Sequence, residues 1–145
     1  MKKIALVTIA LLMWMTTASA HDPQKKFSPE KFQADLEQFM TKEAGLTSEE
    51  AAKFFPLYRE MQEKQRAVYQ QMKALGKNKP ADEAGCKKAV QKRDELEVEL
   101  KRICQLYHNK FFNTIPPSKV YDVIKAEAIF HRRALHHFSK PQSSQ

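Results

Sequence analysis

The residues of this 145-residue sequence with the most chemical capacity are a histidine group near the C-terminus and two cysteines. His131, His136 and His137 follow Glu127, and His108 lies upstream. Neutral imidazoles bind zinc, copper or nickel, but helical metal sites place their ligands at i and i+4 or in paired clusters. His131 and His136 are five apart, so on one helix they diverge. Two readings stay open: His131 packs its ring on the apolar face of a helix, or His131, His136 and His137 form a loose metal-binding set. If the chain began at His21, the free amine there would add a copper or nickel chelate.

Cys86 and Cys104 are separated by 18 positions in a stretch with no helix breaker. On one continuous helix they lie about 27 Å apart at 1.5 Å per residue. A disulfide needs Cα atoms within about 7 Å, so an internal bridge is forbidden. Either both thiols behave as small apolar side chains, or they approach each other across an antiparallel dimer. No nucleophile stands beside a base at catalytic spacing. Serines and threonines fall at helix starts or in the tail, and carboxylates alternate with Lys and Arg, as in Glu60/Lys64 and Glu97/Lys101. These are solvated helical ion pairs. The expectation is a non-enzymatic protein without a cofactor.

The elements that must position these residues are helical. Glycine is scarce at three residues, and Glu, Lys, Gln, Ala and Leu dominate. The first twenty residues stand apart: Lys2 and Lys3, an apolar run from Ile4 to Met15, then Ala18-Ser19-Ala20. That is the pattern of a secretory signal peptide cleaved after Ala20, too short for a comfortable membrane span. The expectation is a periplasmic chain with no stable membrane insertion. Without a phosphate-cradling glycine loop or an ATP pool, nucleotide and nucleic-acid functions drop out. Residues 21–138 are expected to form a single domain and 139–145 a polar tail. The formal net charge of +8 favours acidic partners or anionic surfaces.

Four helices are predicted. Ser28-Pro29-Glu30 starts the first, with Phe32, Leu36, Phe39 and Met40 on one face and Gly45 as its stop. Thr47 to Glu50 is a capping box. It opens a second helix, with apolar positions 51, 54, 58, 61, 68, 72 and 75 and a polar break at Gln65. Pro56 is expected to kink it. Gly76 to Ala81 reads as a turn and Asp82 as the cap of a third helix. That helix has Cys86, Val90, Leu96, Leu100, Ile103, Tyr107 and Phe111 on its seam, broken at Arg93. Pro116-Pro117 stops it. Ser118 caps the fourth, with Val120, Ile124, Ala128, His131, Leu135 and Phe138 on one face and Val123 and Phe130 beside it. A short turn makes helices two and three an antiparallel hairpin. Centring it near residue 79 sets Met72 against Cys86, Val68/Tyr69 against Ala89/Val90, Tyr58 against Leu100, and Gln65 against Arg93.

Leu46-Thr47-Ser48-Glu49-Glu50, opening a long helical hairpin in an exported basic chain, resembles the Spy/CpxP family of periplasmic stress proteins, whose repeated motif is Leu-Thr-x-x-Gln. Leu46, Thr47 and Glu50 carry the motif, and Ile115-Pro116-Pro117-Ser118-Lys119 occupies the place of its second copy. The likeness spans roughly residues 28–138. It implies an all-α, curved, dimeric cradle whose basic and apolar concave face holds unfolding clients without ATP. Some relatives are metal-responsive, with roles in metal resistance. The reading is therefore a periplasmic chaperone or envelope-stress adaptor that binds unfolded or partly folded proteins as a homodimer. Adjacent Phe54/Phe55 and Phe111/Phe112 cannot all point into one seam, and Met side chains adapt to varied partners. Phe55, Arg59, Met61, Arg66 and Phe112 are accordingly the expected client-binding residues. The alternative is a periplasmic metal-binding or metal-sensing protein using His131, His136 and His137.

Overall fold

The structure is a computed structural model that describes residues 28–139, with side chains to residue 136. The expected signal peptide, the lead up to residue 27, the tail from residue 140 and the His137 side chain lie outside the described residues. Every regular element among the described residues is an α-helix: α1 (Pro29–Glu43), α2 (Ser48–Leu75), α3 (Glu83–Phe112) and α4 (Pro117–Ser139). The fold is all-α, with α2 and α3 as a long antiparallel hairpin. None of these helices is long and apolar enough to cross a membrane.

Local chemistry sets the helix ends. The Ser28 hydroxyl accepts from the Lys31 amide, and Pro29 occupies the first turn, where its missing N–H costs nothing. α1 stops because Gly45 takes φ +58, a left-handed conformation in which glycine is unstrained. That bend lets the Leu46 amide reach the Thr41 carbonyl at 3.0 Å and the Gly45 amide reach that of Lys42 at 3.3 Å. Two orphan carbonyls are thereby satisfied. The next residue starts α2: the Thr47 hydroxyl accepts from the Glu50 amide, and the Glu50 carboxylate accepts from the Thr47 amide at 2.8 Å. α2 continues through Pro56 as one helix, and Ala52 and Pro56 are exposed. α4 begins at Pro117 rather than being capped by Ser118, because proline is pre-set for the first helical position.

The hairpin register differs from the symmetric turn expected. Gln65 lies against Cys104, Glu60 against Tyr107, and Phe54 against Phe111. Leu75 and Gln71 share a cavity with Lys92 and Leu96. Tyr58 therefore does not face Leu100, Gln65 does not face Arg93, and Val90 is 60% exposed instead of opposing Val68. Residues 76–82 do not make a tight turn. They carry the chain beyond the end of α2, and Pro80 rests on the first turn of α3, with the Cys86 thiol 3.6 Å from its carbonyl. Arg93 pairs instead with Glu97 on its own helix.

The main core sits where all four helices meet. Leu36, Met40, Phe54, Tyr58, Tyr107, Phe111, Val120 and Val123 are each at most 1% exposed there. Farther out along the hairpin, Val68 and Leu96 are the buried apolar residues. α1 returns along α4, its end near the start of α4 (Lys119 to the Gly45 carbonyl, 2.9 Å) and Phe32 in edge-to-face contact with Phe130 and close to His131. The face of α4 turned inward is Val120, Val123, Ala126 and Phe130. Ile124 and Leu135, expected in the seam, are 38% and 71% exposed, because α1 packs on the other side of the helix.

This register gives a direct test by equilibrium denaturation. Leu96→Ala should cost about 2–5 kcal/mol, the range for emptying a core site. Val98→Ala, two residues on and pointing outward, should stay within about 0.5 kcal/mol. Equal costs would refute the register.

Candidate functional site

α2 and α4 run side by side in the same direction. Glu50 meets Lys119 at 2.6 Å, and eight residues further along each helix Tyr58 meets Glu127 at 2.6 Å. Beyond Tyr58 the two helices leave a cleft. Its floor is polar: the Tyr58 hydroxyl donates to Glu127 and accepts from Gln62 at 3.2 Å. Burial and then the adjacent Glu127 charge push that hydroxyl well above the usual tyrosine range, so it is a fixed donor.

The cleft is an open depression of about 500 Å³ lined by Gln62, Gln65, Arg66, Tyr69, Glu127 and His131. A second depression of about 280 Å³ opens on the α1 side, with Gln33, Arg59 and Glu63 joining Gln62 and Arg66. The two depressions adjoin at Gln62 and Arg66, which line both, and together they form the trough along α2. Arg59 closes its inner end through a two-pronged contact with Glu37, Nε to Oε1 at 2.7 Å and Nη2 to Oε2 at 2.6 Å. Glu37 also accepts from Gln33 at 2.9 Å. Burial opposes the charge on Glu37, but the bonds from Arg59 and Gln33 hold its carboxyl below the ordinary carboxylate value. Arg66 forms no ion pair among the described residues and is exposed beside Tyr69. Gln65 is anchored to α3 by its amide, 3.1 Å from the Cys104 sulfur.

The five expected client-binding residues do not form one surface. Phe55 and Met61 are 7% and 3% exposed and belong to the core, because Phe55 packs its edge on Phe54 and Tyr58. Arg59 and Arg66 share the trough. Phe112 is 46% exposed at the end of α3, away from it. Leu46 is buried, and Thr47 and Glu50 serve the helix start, Glu50 also gripping Lys119. Sequence reasoning did not identify Gln62, Tyr69 or Glu127 as trough residues. The polar break at Gln65 and the basic Arg59 and Arg66 are the local signals for this face.

His131 is half-exposed, its Nε2 3.8 Å from Glu127, with its ring near Phe32 and Phe130. His136 is exposed. Among the described residues no three His, Cys, Asp or Glu side chains converge as metal ligands. Cys86 and Cys104 are free thiols on an unbroken α3.

The arrangement suits a polar polypeptide segment. Side-chain amides offer both a donor and an acceptor, Arg66 a charge-assisted donor, and Tyr69 an aromatic face. The clasp that closes the trough is acid-sensitive. Because Glu37 has a lowered folded value, the unfolded chain takes up its proton first as pH falls. Its contribution is present above the ordinary carboxylate value of 4.5 and is lost as pH drops through the folded value. The thermal-midpoint gap between wild type and Glu37→Gln should therefore be clear at pH 7 and shrink towards pH 3. A gap independent of pH would refute the clasp. Compared with protein-family models, curated proteins and solved structures, the chain matches none of them, so its function is read from this trough and from the surfaces around it.

Proposed function

We propose that the chain is an exported, non-enzymatic chaperone or envelope-stress adaptor that holds unfolded or partly folded proteins without ATP. The observation that carries this reading is the open trough, with Arg66, which has no ion-pair partner among the described residues, between side-chain amides and the exposed Tyr69 ring. Long side chains such as Gln62, Gln65 and Arg66 can re-pack around different segments, as promiscuous binding surfaces do. The location rests on the pattern of residues 1–20, and the likeness of Leu46 to Glu50 to the Spy/CpxP motif points the same way. Protein purified after export should slow aggregation of unrelated denatured proteins with no nucleotide or metal. Arg66→Glu/Tyr69→Ala should weaken that activity several-fold without changing the helical signal. High salt should weaken it too, since exposed charges are screened beyond about 8 Å at physiological ionic strength. Full activity in the double variant would move the client site elsewhere, and no activity in wild type would end the chaperone reading.

The homodimer belongs to the same reading, and the outer face of α3 supports it. Val98, Leu106 and Phe112 are about half exposed on the side away from α2. Asp94, Lys101 and Arg102 flank Val98 and make no ion pair among the described residues, while Glu95 makes only an exposed one with Lys92. An antiparallel second copy centred on Val98 sets Asp94 and Glu95 of one α3 beside Lys101 and Arg102 of the other, a self-complementary contact. Sedimentation velocity tests it. Lys101→Glu/Arg102→Glu should give monomers, and adding Asp94→Lys/Glu95→Lys should restore the dimer. A monomeric wild type would remove the homodimer from the proposal.

A further inference from the structure

α4 carries a second apolar stripe that the fold leaves uncovered. One side of the helix is spent on the core through Val120, Val123, Ala126 and Phe130. On the opposite side Tyr121, Ile124, Ala128 and Leu135 recur at helical spacing, with Tyr121 69% and Leu135 71% exposed. A helix apolar on two sides is ordinarily covered on both. The stripe spans about 21 Å of helix at 1.5 Å per residue. Lys125 and Arg132 lie within it, and neither has an ion-pair partner among the described residues. Asp122 sits at its margin, and Glu127 is turned away to Tyr58 and His131.

We propose that this outer face of α4 docks reversibly on an anionic lipid surface. The chemistry is that of an interfacial helix. Apolar side chains enter the headgroup boundary, the long Lys and Arg stems follow them while their charges stay at the phosphates, and a tyrosine sits at the interface. A second copy fits poorly, because stacking two such faces would bring Lys125 and Arg132 of both copies together. The stripe is a convex ridge, which a bilayer surface accepts without a matching groove. Glu127 is turned to Tyr58 and lies off the stripe, whereas His131, one turn after Ala128 and one before Leu135, marks its trough-side edge, so the docking face borders the trough without including its polar floor. Docking goes beyond the client-holding reading and stands or falls separately from it.

Co-sedimentation with vesicles tests the assignment. The protein should bind vesicles of phosphatidylcholine with phosphatidylglycerol and not those of phosphatidylcholine alone. Lys125→Gln/Arg132→Gln should weaken binding by about thirtyfold, the loss expected for two basic groups at an anionic surface. Ile124→Ser/Leu135→Ser should weaken it by about tenfold or more, since apolar burial supplies the rest. Tyr121→Ser, at a more exposed position, is the independent variant should Ile124 prove structural by circular dichroism. No binding to anionic vesicles would overturn the proposal. So would serine variants that bind like wild type, because the attraction would then be net charge alone. A serine variant that changes the oligomeric state would assign the face to a second copy and overturn it as well.

Discussion

The carboxylate of Glu50 holds together three parts of the chain. It accepts the Thr47 amide that opens α2 and the ammonium of Lys119 one turn into α4, while Lys119 also reaches the Gly45 carbonyl that ends α1. Lys119 is about a quarter and Glu50 about a fifth exposed, so both charges are only partly hydrated. A partly buried pair of this kind contributes more to alignment than to net stability. Here the alignment is visible, since the same offset of 69 residues returns at Tyr58 and Glu127. α4 is thereby held parallel to α2, and the side-by-side run of the two helices makes the trough.

Two kinds of force divide the work. Where the four helices meet, aromatic and aliphatic burial dominates, with Phe54 and Phe111 at 4.7 Å between ring centres. At the rim of that core, α2 is tied to its neighbours by polar contacts: Arg59 to Glu37 on α1, Tyr58 to Glu127 on α4, Tyr107 of α3 to Glu60. Buried tyrosines need a partner for their hydroxyls. Tyr107 illustrates the consequence: burial and then the Glu60 carboxylate push its hydroxyl up to about 12. These ties orient the helices without filling the space between them, so the trough remains open above a fixed polar floor.

The small core also explains the surplus of apolar surface. α3 and α4 each have one stripe in contact with the rest of the fold and further large apolar side chains on the outside. A domain of this size has too few elements to cover both. Such exposed stripes usually mark contacts with something else. The charges between them differ in sign pattern: mixed on α3, where a second copy is complementary, and basic on α4, where an anionic surface is.

Local signals were enough to place the helices. Ser28, Gly45, Thr47, Glu50 and Asp82 act on backbone groups within a few residues, so their chemistry is readable one turn at a time. The all-α hairpin and the unbridgeable cysteines follow from spacing along single helices. The hairpin register did not, because it depends on how far residues 76–82 carry the chain before Asp82 turns it back. Nor did the inward face of α4: Val120, Ile124 and Val123 are equally apolar, and only the position of α1 decides which are covered. Phe55 and Met61 looked like client contacts because sequence cannot say which side of α2 receives α1 and α4. The trough itself joins residues 58–69 to residues 127–131. No helical period links such distant positions, so it exists only once Glu50 has met Lys119 in the folded chain.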